Sequence, residues 1–289
     1  MKKYLVFASL IIFVFLVGCT ASQEPTNTQP PANEQTNGQH STAPPNQPQQ
    51  FTEAIKDSGF KVVYKPSTNL DFMELEKAFK EAHLFEDIAK DLNDDLALPK
   101  DVPVVLGECG EVNAYYDPES KSIYMCYELV QDISEIFANI AKSDEELDKA
   151  VVDTTSFIFY HEMGHALVDI LDLPTTGKEE DAVDGLSTLV LTRAGEEGED
   201  AAINGAVWFF KRGEKSKVSK LALADEHALD EQRYYNVLCW IYGKNPERNS
   251  YLVEEEYLPE ERAGGCASEY AQIESSWGRL LSPYYKTNS

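Results

Sequence analysis

Basic residues are scarce in this chain: 25 Lys and Arg stand against 50 Asp and Glu among 289 residues, a formal net charge of −25. Such a chain repels a polyanion, which excludes a nucleic-acid partner. Cysteines at CxxC spacing are absent, which argues against a cysteine-held metal. No internal repeat is present. Residues 20–50 contain no Phe, Tyr or Trp and almost no aliphatic side chain, so they cannot bury enough surface to offset their ordering entropy and are expected to form a disordered tether, His40 included. The apolar run at the N-terminus is too short for a comfortable membrane span.

What that N-terminus does contain is Lys2 and Lys3, the apolar run, and small residues before Cys19, the organisation of a secretory signal. Leu16-Val17-Gly18-Cys19 resembles the bacterial lipobox, in which the cysteine is acylated and becomes the first residue of the mature chain; an ordinary signal peptide or uncleaved anchor is the plainer alternative. The resemblance implies residues 1–19 as a lipoprotein signal and an extracytoplasmic protein held on a cell-envelope membrane. Residues 51–289 are long enough for one domain or two tightly joined lobes. Beyond Cys19 the chain has Cys109, Cys126, Cys239 and Cys266. An even number in an exported protein suggests two disulfides. Three pairings are possible; the sequential one is favoured because Cys109 and Cys126 flank a hairpin pattern and Cys239 and Cys266 lie on neighbouring helical stretches.

The hydropathy pattern predicts an α+β fold, rich in helix with a small sheet. Strands are expected at Phe60 to Tyr64 and Val102 to Gly107, with a helix from Asp71 to Leu92 between them, and a hairpin from Glu111 to Tyr116 through the Pro118 turn to Ser122 to Cys126. Helices follow at Glu128 to Ala141, after a Ser143 cap with Glu146 at the third helical position, and near Glu179 to Thr192, Asp200 to Phe210, Ala222 to Tyr242 and Gly264 to Leu281.

On the capped helix lies Tyr160-His161-Glu162-Met163-Gly164-His165, which contains the pattern His-Glu-x-x-His. Residues i and i+4 share a helix face, so the two imidazoles can converge on one ion while Glu162 lies alongside as a base for water. Apolar flanks at Phe157, Ile158, Ala166, Leu167 and Ile170 place the motif on a buried helix; two core histidines with hydrogen-bond partners are the plainer alternative. A zinc hydrolase needs a third ligand and an open fourth position. Val168 and Leu171 occupy the positions where an extended HExxHxxGxxH motif would supply it, which excludes that class. After a Pro174/Gly177 turn the acidic stretch Glu179 to Asp184 can fold back on the motif. Glu180 and Asp184 share one face, suiting a ligand and a carboxylate that accepts a histidine N–H. Asp181 is an alternative ligand and Glu179 a weaker one.

At these residues the chain resembles the gluzincin, or thermolysin-like, metallopeptidases, in which a glutamate on the next helix is the third ligand and an aspartate four residues on supports a histidine. Asn113-Ala114-Tyr115-Tyr116 resembles their edge strand above the zinc, implying that Asn113, Ala114 and Tyr115 bind extended substrate. Together with Glu108-Cys109-Gly110, Cys126-Tyr127-Glu128-Leu129 and Gln232-Arg233-Tyr234-Tyr235-Asn236, the pattern over most of residues 100 to 280 is similar to a bacterial metallopeptidase family of undefined function. Little chain remains after Glu180 for a full second lobe, which implies a restricted or unusual cleft. The resemblance implies a Zn2+ cofactor, a peptide or protein substrate, and hydrolysis with Glu162 as general base. His227 is the first candidate for the donor that stabilises the oxyanion, ahead of Tyr234 and Arg233. Two other functions stay open: an envelope lipoprotein that holds zinc without turnover and acts as a binding or assembly factor, and a structural lipoprotein without metal.

Overall fold

The computed structural model describes residues 58–215, 219 and 227–286. The expected signal segment 1–19, Cys19, the tether 20–50, the first residues of the domain from 51 and the expected helix start at Ala222 lie outside them.

Among the described residues four strands form one mixed sheet: β1 (Phe60–Tyr64), β2 (Val102–Gly107), β3 (Ala114–Asp117) and β4 (Ser122–Cys126), in the order β1-β2-β4-β3. The pairs β1/β2 and β2/β4 are parallel, while β3 is an antiparallel edge strand on β4. Alternation sets the faces: Phe60, Val62 and Tyr64 turn toward the core while Lys61 and Val63 face solvent. Parallel pairing of β1 with β2 demands a crossover, and two helices supply it. Where one helix was expected over Asp71 to Leu92 there are α1 (Leu70–Ala82) and α2 (Leu84–Asp95), separated at His83, whose φ of 55° is left-handed. The break turns Phe85 onto Phe79 at 5.4 Å and onto Phe159 at 5.6 Å. Aromatic burial thus overrides a periodicity that runs on through the break.

After the sheet come α3 (Tyr127–Phe137), α4 (Asp144–Ile170), α5 (Glu179–Arg193), α6 (Glu196–Lys215), α7 (Asp230–Lys244), the short α8 (Tyr251–Glu254) and α9 (Glu260–Leu281). The architecture is α+β and helix-rich, as expected. Within it α6 and α9 start earlier than their patterns suggested, because Glu196 and Glu260 open first turns whose acidic side chains complement the helix dipole. Residues 227–229 are not helical, so His227 precedes α7 instead of riding on it.

Helix α4 is the axis of the fold. Ser143 accepts from the Glu146 N–H at 3.2 Å and Glu146 in turn accepts from the Lys142 N–H at 2.8 Å, fixing the helix start. Its 27 residues span about 40 Å. It packs on α3, α5, α6, β3 and β4, which is why it is apolar on nearly all sides. The disulfides are Cys109–Cys126, across the base of the β3/β4 hairpin, and Cys239–Cys266, joining α7 to α9. At the second bridge the helices approach so closely that a Cβ on Gly243 would stand 2.2 Å from the Cys266 carbonyl oxygen. Among the described residues no helix is long and apolar enough to cross a membrane.

Candidate metal centre

Two helices build the centre. His161, Glu162 and His165 sit on α4, and the acidic first turns of α5 lie across them. That crossing depends on Gly164, inside the His-Glu-x-x-His motif: a Cβ there would come within 2.6 Å of Val183 Cγ1. The glycine removes the side chain that would hold α5 away.

The close crossing sorts the acidic cluster by position. Glu180 faces both histidines, with its Oε2 3.2 Å from His161 Nε2 and its Oε1 3.3 Å from His165 Nε2. Asp184, one turn later and buried, accepts from His161 Nδ1 at 2.8 Å. Glu179 accepts from His165 Nδ1 at 2.7 Å. Asp181 is exposed. Asp184 is also gripped by Arg233 of α7, whose Nε donates to Oδ2 and Nη2 to Oδ1, each at 2.7 Å. The Arg233 guanidinium lies 3.9 Å over the Phe209 ring, so burial and pairing commit it to Asp184 rather than to a substrate oxyanion. Tyr234 is packed between Phe210 and Tyr235. His227 comes in from the segment before α7, with Nε2 3.1 Å from Glu180 Oε2.

The electrostatics follow from this crowding. Burial disfavours a charged Glu180, but the rings of His161, His165 and His227 outweigh it and hold the carboxyl far below the usual range. Asp184 is likewise held low, by Arg233 and His161 against its burial. Burial opposes protonation of His165, yet Glu180, Glu179 and Glu162 raise it to about 9; His161 is raised too, against its burial, by Asp184, Glu180 and Glu162.

Glu180 Oε2 is buried without a hydrogen bond, although two ring nitrogens lie at contact distance. Nδ1–H of His161 and of His165 is committed to carboxylates, so once each ring sheds its second proton, as a ligand must, its Nε2 lone pair faces Glu180. In that deprotonated form the facing lone pairs would repel, and a cation in place of the two protons turns the repulsion into ligation. Two imidazoles and a carboxylate, each ring fixed by an outer carboxylate, form the donor set that zinc accepts. The residues present therefore fit a metal.

The expected substrate residues lie on or beside β3. The Asn113 carbonyl accepts from Cys126 N–H at 3.3 Å, and Tyr115 stacks on Tyr124 with ring centroids 4.8 Å apart. Tyr116 donates to Asp169 Oδ2 at 2.5 Å, beside Lys121 Nζ at 2.7 Å. Asp169 is one turn beyond His165 on α4, so the helix that carries the histidines also holds the edge strand. Sequence reasoning missed this link, the Arg233 clamp and the role of Gly164; for the glycine, its place inside the motif was a usable signal.

No curated protein and no solved structure matches this chain. A family model does match, over residues 64–281, which is most of the chain and includes every residue of the centre. The chain belongs to the DUF4344 family, described as putative metallopeptidase.

Proposed function

We propose that this protein is a zinc-dependent peptidase, held by an acylated Cys19 on the outer side of a cell-envelope membrane. One observation supports the reading above the others: His161 and His165 direct Nε2 at one carboxylate, Glu180, while Asp184 and Glu179 hold their Nδ1 atoms. His161, His165 and Glu180 would hold the ion, which when bound would supply Lewis acidity for a scissile carbonyl and for water. Glu162 is buried and adjoins His161 in the motif. It takes a proton from water and delivers it to the leaving amine.

The free edge of β3 binds substrate as an added strand. Because Asn113 pairs with Cys126, the alternation of an antiparallel ladder gives residues 113, 115 and 117 to β4 and turns the backbone groups of Ala114 and Tyr116 outward. Tyr115, stacked on Tyr124, braces the strand. A second reading, a metal-holding envelope factor without turnover, has one observation in its favour, the fourth donor at Glu180 supplied by His227.

The test is digestion of an unbiased peptide library by the purified full-length chain, with and without chelator, beside Glu162→Gln. The expected result is chelator-sensitive cleavage that the variant loses by about 10²- to 10⁴-fold while keeping fold and metal. Undiminished cleavage by Glu162→Gln refutes the mechanism, and a zinc-loaded parent that cleaves nothing favours the second reading. Mass analysis of the mature N-terminus checks the anchor; an unmodified Cys19 excludes it.

A further inference from the structure

A hydrolytic zinc site needs three protein ligands and one position open to water or substrate, whereas four protein ligands close the tetrahedron. Here a fourth donor is present. His227 Nε2 is 3.1 Å from Glu180 Oε2, and His227, His161 and Glu180 each bring a ligand atom within 4.8 Å of the others. Atoms that each bond one zinc at about 2.0 to 2.2 Å stand at most about 4.4 Å apart, a limit the 3.1 Å contact meets; His165 Nε2 lies outside this group of three and reaches the set through Glu180 Oε1, at 3.3 Å.

The four donors are not equally held. The side chains of His161, Glu180 and His165 are 6%, 12% and 16% exposed, and that of His227 is 45% exposed. Withdrawing His161 would take one hydrogen-bond donor from the buried Asp184. His227 stands at the solvent side of the set and precedes the first turn of α7, and its withdrawal leaves Glu180 Oε2 still beside His161 Nε2.

We propose that His227 is a fourth protein ligand of the resting centre, so that the site rests closed and a substrate gains the metal only by displacing that imidazole. The proposal rests on the peptidase reading and goes beyond it, since it assigns His227 to metal binding in the resting state and makes latency a property of the chain itself. It also reconciles an intact base at Glu162 with a complete ligand set: the base waits beside a position that His227 vacates.

Metal binding by the full-length chain decides it, without recourse to turnover. Zinc affinity is measured by chelator competition for the parent, His227→Ala and His165→Ala, and the Co(II)-loaded forms are compared by visible absorption. The expected result is that His227→Ala loses on the order of 100-fold in zinc affinity, one ligand's share of a four-ligand site. Its Co(II) spectrum should change, and free imidazole should restore the parental bands, which a folding defect would not allow. If His227→Ala keeps the parental affinity and spectrum while His165→Ala loses metal, the proposal is overturned and the peptidase reading stands. If the parent binds no metal, or His165→Ala binds as the parent does, the peptidase reading falls and the proposal with it.

Discussion

Replacing Asp184 by Asn should damage the protein twice, and the two losses are separable. Asp184 is buried between His161 Nδ1 and the fork of Arg233, with three contacts of 2.7 to 2.8 Å. Asn keeps one acceptor oxygen and removes the charge, leaving an 11%-exposed guanidinium without its counter-ion. Breaking a buried pair from one side costs about 3 to 5 kcal/mol, and the retained acceptor points to the lower end, about 3 kcal/mol in metal-free protein. The same change loosens His161. Loss of an outer carboxylate typically weakens a metal site about 10- to 100-fold, or about 1.4 to 2.7 kcal/mol. Under saturating zinc that deficit adds to the first, since a ligand stabilises the state it binds, giving a total near 5 kcal/mol. Denaturant unfolding of parent and Asp184→Asn, with zinc and with chelator, reads both numbers. Equal losses in the two conditions would refute the link from Asp184 through His161 to the metal, and a loss below about 1 kcal/mol in chelator would refute the buried pair.

Gly164→Ala should leave both histidines and Glu180 in place in the sequence yet lower zinc affinity, because its Cβ would meet Val183 at 2.6 Å and push α5 from α4; overpacking of this kind costs about 1 to 3 kcal/mol, and chelator competition at parental affinity would contradict it. Zinc affinity should also climb with pH. His165, raised to about 9 in the metal-free protein, is protonated at neutral pH and must shed that proton to ligate, so this proton alone makes affinity increase up to about tenfold per pH unit toward about pH 9, and His161, raised in the same direction, adds to the climb. A flat profile between about pH 7 and 9 would contradict the stated environment of His165.

Much of this centre is legible in one dimension because its logic is local. The Ser143 cap and the spacing of His161 and His165 are helical rules, and so is the shared face of Glu180 and Asp184. Choosing among Glu179, Glu180 and Asp181 is not local, since it depends on where α5 crosses α4. That crossing is set by the fit of Val183 onto Gly164, and it gives Glu179 a supporting role at His165 Nδ1. Arg233 was similarly hidden: its partner lies 49 residues earlier on another helix. In the fold, β1 and β2 were readable as strands, but parallel pairing is a property of two distant segments. The break at His83 was concealed by apolar residues that keep helical spacing on both sides of it.

The central claim is that two histidines of α4 and a glutamate of α5 hold one metal. Metal analysis of the purified protein, beside a His161→Ala, His165→Ala double variant, tests it most directly. About one zinc per chain in the parent and none in the double variant is the expected result. Stoichiometric zinc in the double variant would place the metal elsewhere and contradict the account.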